Sequence, residues 1–114
     1  MNESVILYTT WPDAETAEAF AAMAVAERLA ACANILAPMR SVYRWQGAIE
    51  RAAEVPMLLK TTISAAPALR DLVQDEHPYD APCILALPVN TAASGAPFLD
   101  WIESEVSNPT AKQS

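Results

Sequence analysis

Ser41-Val42-Tyr43-Arg44-Trp45-Gln46 alternates without a break, and Gly47 follows it. Ser41, Tyr43 and Trp45 fall on one face of an extended chain, and Val42, Arg44 and Gln46 on the other. Gln46-Gly47 is a turn signal, and residues 50–62 return as a second extended segment, so the stretch predicts a long β-hairpin. Upstream, Cys32-Ala33-Asn34-Ile35-Leu36 starts the first arm and Pro38 interrupts it. Pro56, in the return arm, has no N–H, which places it at a bulge or at an outward edge position.

The elements outside the hairpin complete the pattern. Ser4-Val5-Ile6-Leu7-Tyr8-Thr9-Thr10 is β-branched, aromatic and apolar at its centre, and predicts a buried strand. Trp11-Pro12-Asp13 ends it, and Asp13 is a good N-cap for an alanine-rich helix over residues 14–31. Ala17, Phe20, Ala21, Ala24 and Val25 recur at helical spacing and define its packed face. Ser64 caps a second helix over residues 65–76, with Pro67 tolerated in the first turn and Leu69, Leu72 and Val73 inward. A strand from about Cys83 to Val89 and a closing helix over residues 97–106 follow. The order β-α-β-β-α-β plus a C-terminal helix is that of an α+β, ferredoxin-like fold, an antiparallel sheet with both helices on one face. Residues 1–106 make one domain, and residues 107–114 read as a flexible tail. The other sheet face is left bare, and oligomerisation is the simplest cover for it.

Composition narrows the function classes. Of 114 residues, 53% are hydrophobic and 18% charged, which suits one globular domain with a real core. Fourteen acidic against seven basic residues give a net charge of −7, which argues against a partner recognised through its phosphate backbone. No apolar run approaches the roughly 20 residues of a membrane span. The start of the chain predicts no signal peptide, and two cysteines without CxxC spacing suit free thiols in the cytoplasm. Only Gly47 and Gly95 are glycines, so no glycine-rich phosphate cradle exists and no organic cofactor is expected.

The candidate chemistry is sparse. His77, the single histidine, lies between a helix and a strand in Glu76-His77-Pro78-Tyr79-Asp80-Ala81-Pro82. It reads either as a metal ligand or general acid/base, or as a helix C-terminal residue stabilising the last carbonyls. Cys32 and Cys83 are soft metal donors if they converge with it, and small buried hydrophobes if they do not. Lys60 is one of only two lysines and closes an apolar run; it pairs, reaches a rim, or is functional. Tyr43, Trp45, Tyr79 and Trp101 are residues of the kind that line clefts or oligomer interfaces. No nucleophile–base pair is visible, so no enzyme is expected.

Five blocks together carry a resemblance. Tyr8-Thr9-Thr10, the run from Glu27 through Ile35 (ERLAACANI), Ser41-Val42-Tyr43-Arg44-Trp45-Gln46-Gly47, Lys60-Thr61-Thr62, and His77-Pro78-Tyr79 with Pro82 occur in this order. The chain resembles the CutA family of divalent-cation tolerance proteins over nearly its whole length. The resemblance implies a homotrimer whose long hairpin strands pair between subunits, an architecture similar to the PII signalling trimers. It also implies copper or other divalent-metal binding, with Cys32 and His77 as candidate ligands. Asp80 stands where the family often has glutamate, and Cys83 where it is commonly acidic; the latter adds a third candidate donor. The intersubunit cleft would gather Tyr43, Trp45, Lys60, Tyr79, Asp80 and Trp101. The leading expectation is a cytoplasmic trimer that binds a divalent ion weakly near His77. The alternative is a PII-like adaptor that binds a small ligand in the cleft and acts on a partner protein.

Overall fold

The computed structural model describes residues 3–107. Its elements are β1 (Ser4–Trp11), α1 (Ala14–Ala26), β2 (Cys32–Ile35), β3 (Met39–Trp45), β4 (Ala48–Thr62), α2 (Ala66–Glu76), β5 (Ile84–Pro88) and α3 (Ala96–Glu105). The sheet runs β2-β4-β1-β5, with every pairing antiparallel, and β3 continues along the same side of β4 as β2. Since β2 and β3 are one hairpin arm broken in the middle, this is the expected β-α-β-β-α-β order with a C-terminal helix. Of the tail expected over residues 107–114, only Ser107 lies within the described residues; its N–H donates to the Arg28 carbonyl at 2.8 Å.

The break in the first arm is a bulge. Ile35 pairs with Met57 and Met39 with Glu54, so three residues, 36–38, oppose two, 55 and 56. Leu36 donates to the Pro56 carbonyl at 3.0 Å. In an antiparallel ladder a residue's N–H and C=O point to the same side. The missing donor of Pro56 therefore faces the bulge, where no regular ladder partner waits for it, and a proline sits inside a central strand.

β4 sets the shape. Fifteen residues at about 3.3 Å each span roughly 50 Å, and the longest dimension of the molecule is 48 Å. The radius of gyration is 15.0 Å, against about 13 Å for a compact chain near this length. The inner half of β4 lies between β1 and β2. The outer half pairs with β3 alone and projects as a two-stranded ribbon, closed by Gln46 (φ 49) and Gly47 (φ 82) in a two-residue turn. Positive φ at both positions is the I′ geometry that matches strand twist, and Gly47 meets it without a Cβ clash.

The core lies between one sheet face and the first two helices. Val5, Leu7, Thr9 and Trp11 of β1 and Val55, Met57, Leu59 and Thr61 of β4 point into it. Ala17, Ala21 and Ala24 let α1 approach the sheet closely, while Phe20 fills the space beside Trp11 at 5.0 Å between rings. Burying side chains such as Leu7, Leu59 and Leu69 contributes about 1.5–3 kcal/mol each. Asp13 caps α1 by accepting the Thr16 N–H at 2.7 Å, and that hydrogen bond holds its carboxyl below the usual range. A second small cluster, Ala31, Ala65, Ile102 and Val106, seats α3.

Three local expectations need correction. Helix α1 stops at Ala26 rather than at residue 31, because Arg28 adopts φ 59. Arg28 donates its N–H to the Val25 carbonyl and Leu29 to that of Ala24, a Schellman ending with arginine in the place of the usual glycine. Val25 is 41% exposed, one step off the packed stripe as the helix ends. The cap of α2 falls on Ala65, whose N–H donates to the Thr62 hydroxyl at 3.3 Å, and not on Ser64.

From this left-handed position the Arg28 side chain reaches α3. Its guanidinium donates to the Ser104 carbonyl at 2.9 Å, tying the exit of α1 to α3. Arg28→Ala removes that bond and keeps the strain, and should cost about 1 kcal/mol. Arg28→Gly removes both, and should cost clearly less. Urea unfolding of the two variants checks the order; equal losses would show that the αL strain has no weight.

Candidate functional site

The site grows from the last residues of β1. Period two continues through Leu7, Thr9 and Trp11, so the Trp11 indole enters the core instead of ending the strand. Its Nε1–H donates to Thr9 Oγ1 at 2.8 Å, and Thr9 Oγ1 donates to the Met57 carbonyl at 3.0 Å. This chain of donors satisfies a buried indole and clips β1 to β4. Trp11 then offers a ring face to His77, with centroids 4.3 Å apart.

His77 ends α2 and turns inward. Its backbone N–H closes the helix onto the Val73 carbonyl at 2.8 Å, while its φ of −73° and ψ of 140° start the extended loop. The imidazole is only 7% exposed. Nε2 lies 2.8 Å from the Thr10 carbonyl, which can only accept, so Nε2 carries the proton. Nδ1 accepts the Tyr79 N–H at 3.1 Å. Both ring nitrogens are therefore committed, and the tautomer is fixed by its partners. The imidazole does not reach back to the last carbonyls of α2, as the capping expectation had it. It joins the α2–β5 loop to β1.

Around this pivot the structure gathers some of the candidate residues. The Tyr79 ring lies 4.7 Å from that of His77. Burial raises the Tyr79 phenol above its ordinary range, with the nearby charge of Glu54 and the Tyr43 and Asp13 side chains adding to it. Cys83, just before β5, is raised likewise: burial first, Glu54 second, partly offset by a hydrogen bond with Thr10. Glu54, Tyr79 and Cys83 thus share the base of the ribbon, and Tyr43, paired with Glu50, lies farther out on it. Trp45 is further out on it and 59% exposed; Asp80 is exposed in the loop.

The remaining candidates sit at the other end of the inner half of β4. Cys32 pairs with Lys60, and Lys60 with Ile6, four residues from the Thr10–Pro56 pair, or about 13 Å along the strand. Cys32 and the segment of Cys83 also flank opposite edges of the sheet, three strand spacings apart, about 14 Å. Lys60 Nζ lies 5.1 Å from the centroid of Phe98, whose ring meets Trp101 at 5.4 Å. Cys32, His77 and Cys83 therefore do not converge within one chain. Among the described residues no group of three His, Cys, Asp or Glu side chains is gathered to hold a metal ion. Trp11, Glu54 and Phe98 were missed by sequence reasoning; only Trp11 left a signal, the continuing alternation from Leu7.

Both cysteines are free. Cys83 should alkylate more slowly than a peptide cysteine at pH 8, because burial and Glu54 favour its protonated form. Its rate should climb about tenfold per pH unit until the raised pKa is passed. Iodoacetamide labelling read by peptide mass gives both numbers. His77→Phe keeps the ring stack and strands the Thr10 carbonyl and the Tyr79 N–H. A loss of about 2–4 kcal/mol is expected, with faster hydrogen exchange at Tyr79; unchanged exchange there would contradict the pivot role.

A model of the CutA1 divalent ion tolerance protein family matches residues 5–105. Relatives from Salmonella newport (strain SL254) and Salmonella agona (strain SL483), each named divalent-cation tolerance protein CutA, are 41% identical over 104 residues, 91% of this chain and 89% of theirs. The crystal structure of the divalent ion tolerance protein CutA1 from Ehrlichia chaffeensis is 31% identical, covers 94% of this chain and 98% of its own, and superposes with a TM-score of 0.87. The periplasmic divalent cation tolerance protein CutA from Archaeoglobus fulgidus is 38% identical, covers 91% and 99%, and gives 0.86.

Proposed function

This chain belongs to the CutA1 divalent ion tolerance family, and from that premise we propose that it binds copper or another divalent ion weakly, at a site completed between the subunits of a homotrimer. The observation that carries the reading is the separation of the donors. The family is one of divalent-ion tolerance, yet a single chain keeps Cys32 away from Cys83 and His77 and has both His77 nitrogens engaged. A shared site brings the Cys32 edge of one copy to the ribbon base of another, where Cys83 and Glu54 lie. Thiol donors favour copper among the available divalent ions. His77 then positions the loop that carries Tyr79 and is not itself a ligand.

Assembly has its own support. On the sheet face away from the helices, Tyr8, Leu58, Leu85 and Leu87 follow one another across β1, β4 and β5 by register. Leu85 and Leu87 are 57% and 44% exposed, and Trp45, Val42 and Ile49 on the ribbon are 59–64% exposed. A continuous apolar face of this kind calls for a protein cover. The function is binding rather than catalysis, and two free thiols suit the reducing cytoplasm.

Calorimetry with Cu(II) under argon tests the site. Wild type should bind, Cys32→Ser should bind at least tenfold more weakly, and a His77→Asn variant that stays folded should bind within a few fold of wild type. Light scattering should give about three times the 12.3 kDa chain mass. A monomer that still binds copper with wild-type affinity would sink the shared site.

A further inference from the structure

A cavity of 150 Å³ opens between the β1–β4 end of the sheet and α3, lined by Ile6, Lys60, Val89, Phe98, Leu99 and Ile102. Its wall is almost wholly hydrocarbon. Lys60 is the charged residue of the lining, with its ammonium over the Phe98 ring, and Ser4 and Ser94 are the lining's other polar side chains. Ser94, also at the rim, already spends its hydroxyl on the Asn90 carbonyl at 2.6 Å. The site thus offers one positive charge at the mouth of an apolar pocket.

We infer that this pocket binds a small amphiphilic monocarboxylate, with its hydrocarbon body against Ile6, Val89, Leu99 and Ile102 and its carboxylate on Lys60. Size sets the body: an apolar cavity of this volume holds a benzene-sized molecule, so roughly four to six carbons fit. Charge sets the head. An ammonium has three N–H donors, and a ring face answers only its charge, so an anionic acceptor improves on Phe98 alone. A phosphate would bring a second charge to a wall with one cation. A neutral alcohol would leave the ammonium's charge unanswered. Within one chain the pocket lies about 13 Å along β4 from the ribbon base; the inference rests on the proposed trimer leaving this cavity open, and light scattering tests that assembly separately.

Trp101 supplies the readout, since its ring packs on Phe98 at the cavity wall. The full chain, with chelator present, is titrated with hexanoate while the Trp101 indole N–H resonance is followed. Saturable binding with a Kd of about 1 mM or tighter is expected, with acetate and hexanol each at least tenfold weaker. Lys60→Met keeps the stem and should weaken hexanoate about tenfold; Lys60→Arg should restore it to within a few fold. Val89→Phe fills the cavity and should abolish the shift. No saturation by about 10 mM hexanoate overturns the proposal. So does equal affinity for hexanol, or an unchanged Kd in Lys60→Met. Should Val89→Phe fail to fold, the Lys60 pair decides.

Discussion

Everything in this molecule hangs on one strand with two environments. The inner half of β4 is a central strand whose Val55, Met57 and Leu59 are almost fully buried. The outer half has a single neighbour, β3. A two-stranded ribbon is at best marginally stable alone in water. The inner half anchors the outer half by covalent continuity, and the ribbon is carried into solvent with large apolar side chains on both faces: Val42 and Ile49 on one, Tyr43 and Trp45 on the other. The bulge at residues 36–38 marks the boundary between these regimes, and Pro56 is tolerated there because its missing donor falls at the break.

The same strand separates two chemical poles. At the ribbon base, the last turn of β1 receives the α2–β5 loop through His77, whose imidazole bridges the Thr10 carbonyl and the Tyr79 N–H. At the other end, Cys32 and Lys60 face α3. A polar group this buried is stabilising only when all its bonds are made. That requirement explains why the single histidine is a structural pivot: freeing Nε2 would leave the buried Thr10 carbonyl unpaired, and freeing Nδ1 would take the acceptor from the part-buried Tyr79 N–H.

Much of the architecture was legible in the chain. Strict alternation over residues 41–46 and the Gln46-Gly47 turn marked the hairpin, and a sheet with both helices on one face pointed to an uncovered one. The limits have physical causes. Nothing in Glu27-Arg28-Leu29 announces that an arginine will take φ 59, and the carbonyl its guanidinium meets lies on α3, 76 residues away. His77 stood out by its rarity, but its partner is the backbone of Thr10, 67 residues distant, and backbone atoms leave no mark in a sequence. Trp11 looked like punctuation because Pro12-Asp13 follows it; the two-residue period from Leu7 was the better guide.

The divided donors and the unsupported ribbon are two aspects of one geometry. The inner half of the strand that anchors the ribbon also holds the donors about 13 Å apart, too far for one ion to bridge. Neighbouring copies that cover the ribbon and the bare sheet face would shorten that distance by placing the Lys60 end of one chain beside the ribbon base of the next. Burial of apolar surface would then supply the free energy of assembly, while the ion adds little stability and much dependence on subunit contact. On the proposed reading the metal donors would be ordered by packing that exists for other reasons, and His77 would serve the site by holding the Tyr79 loop still.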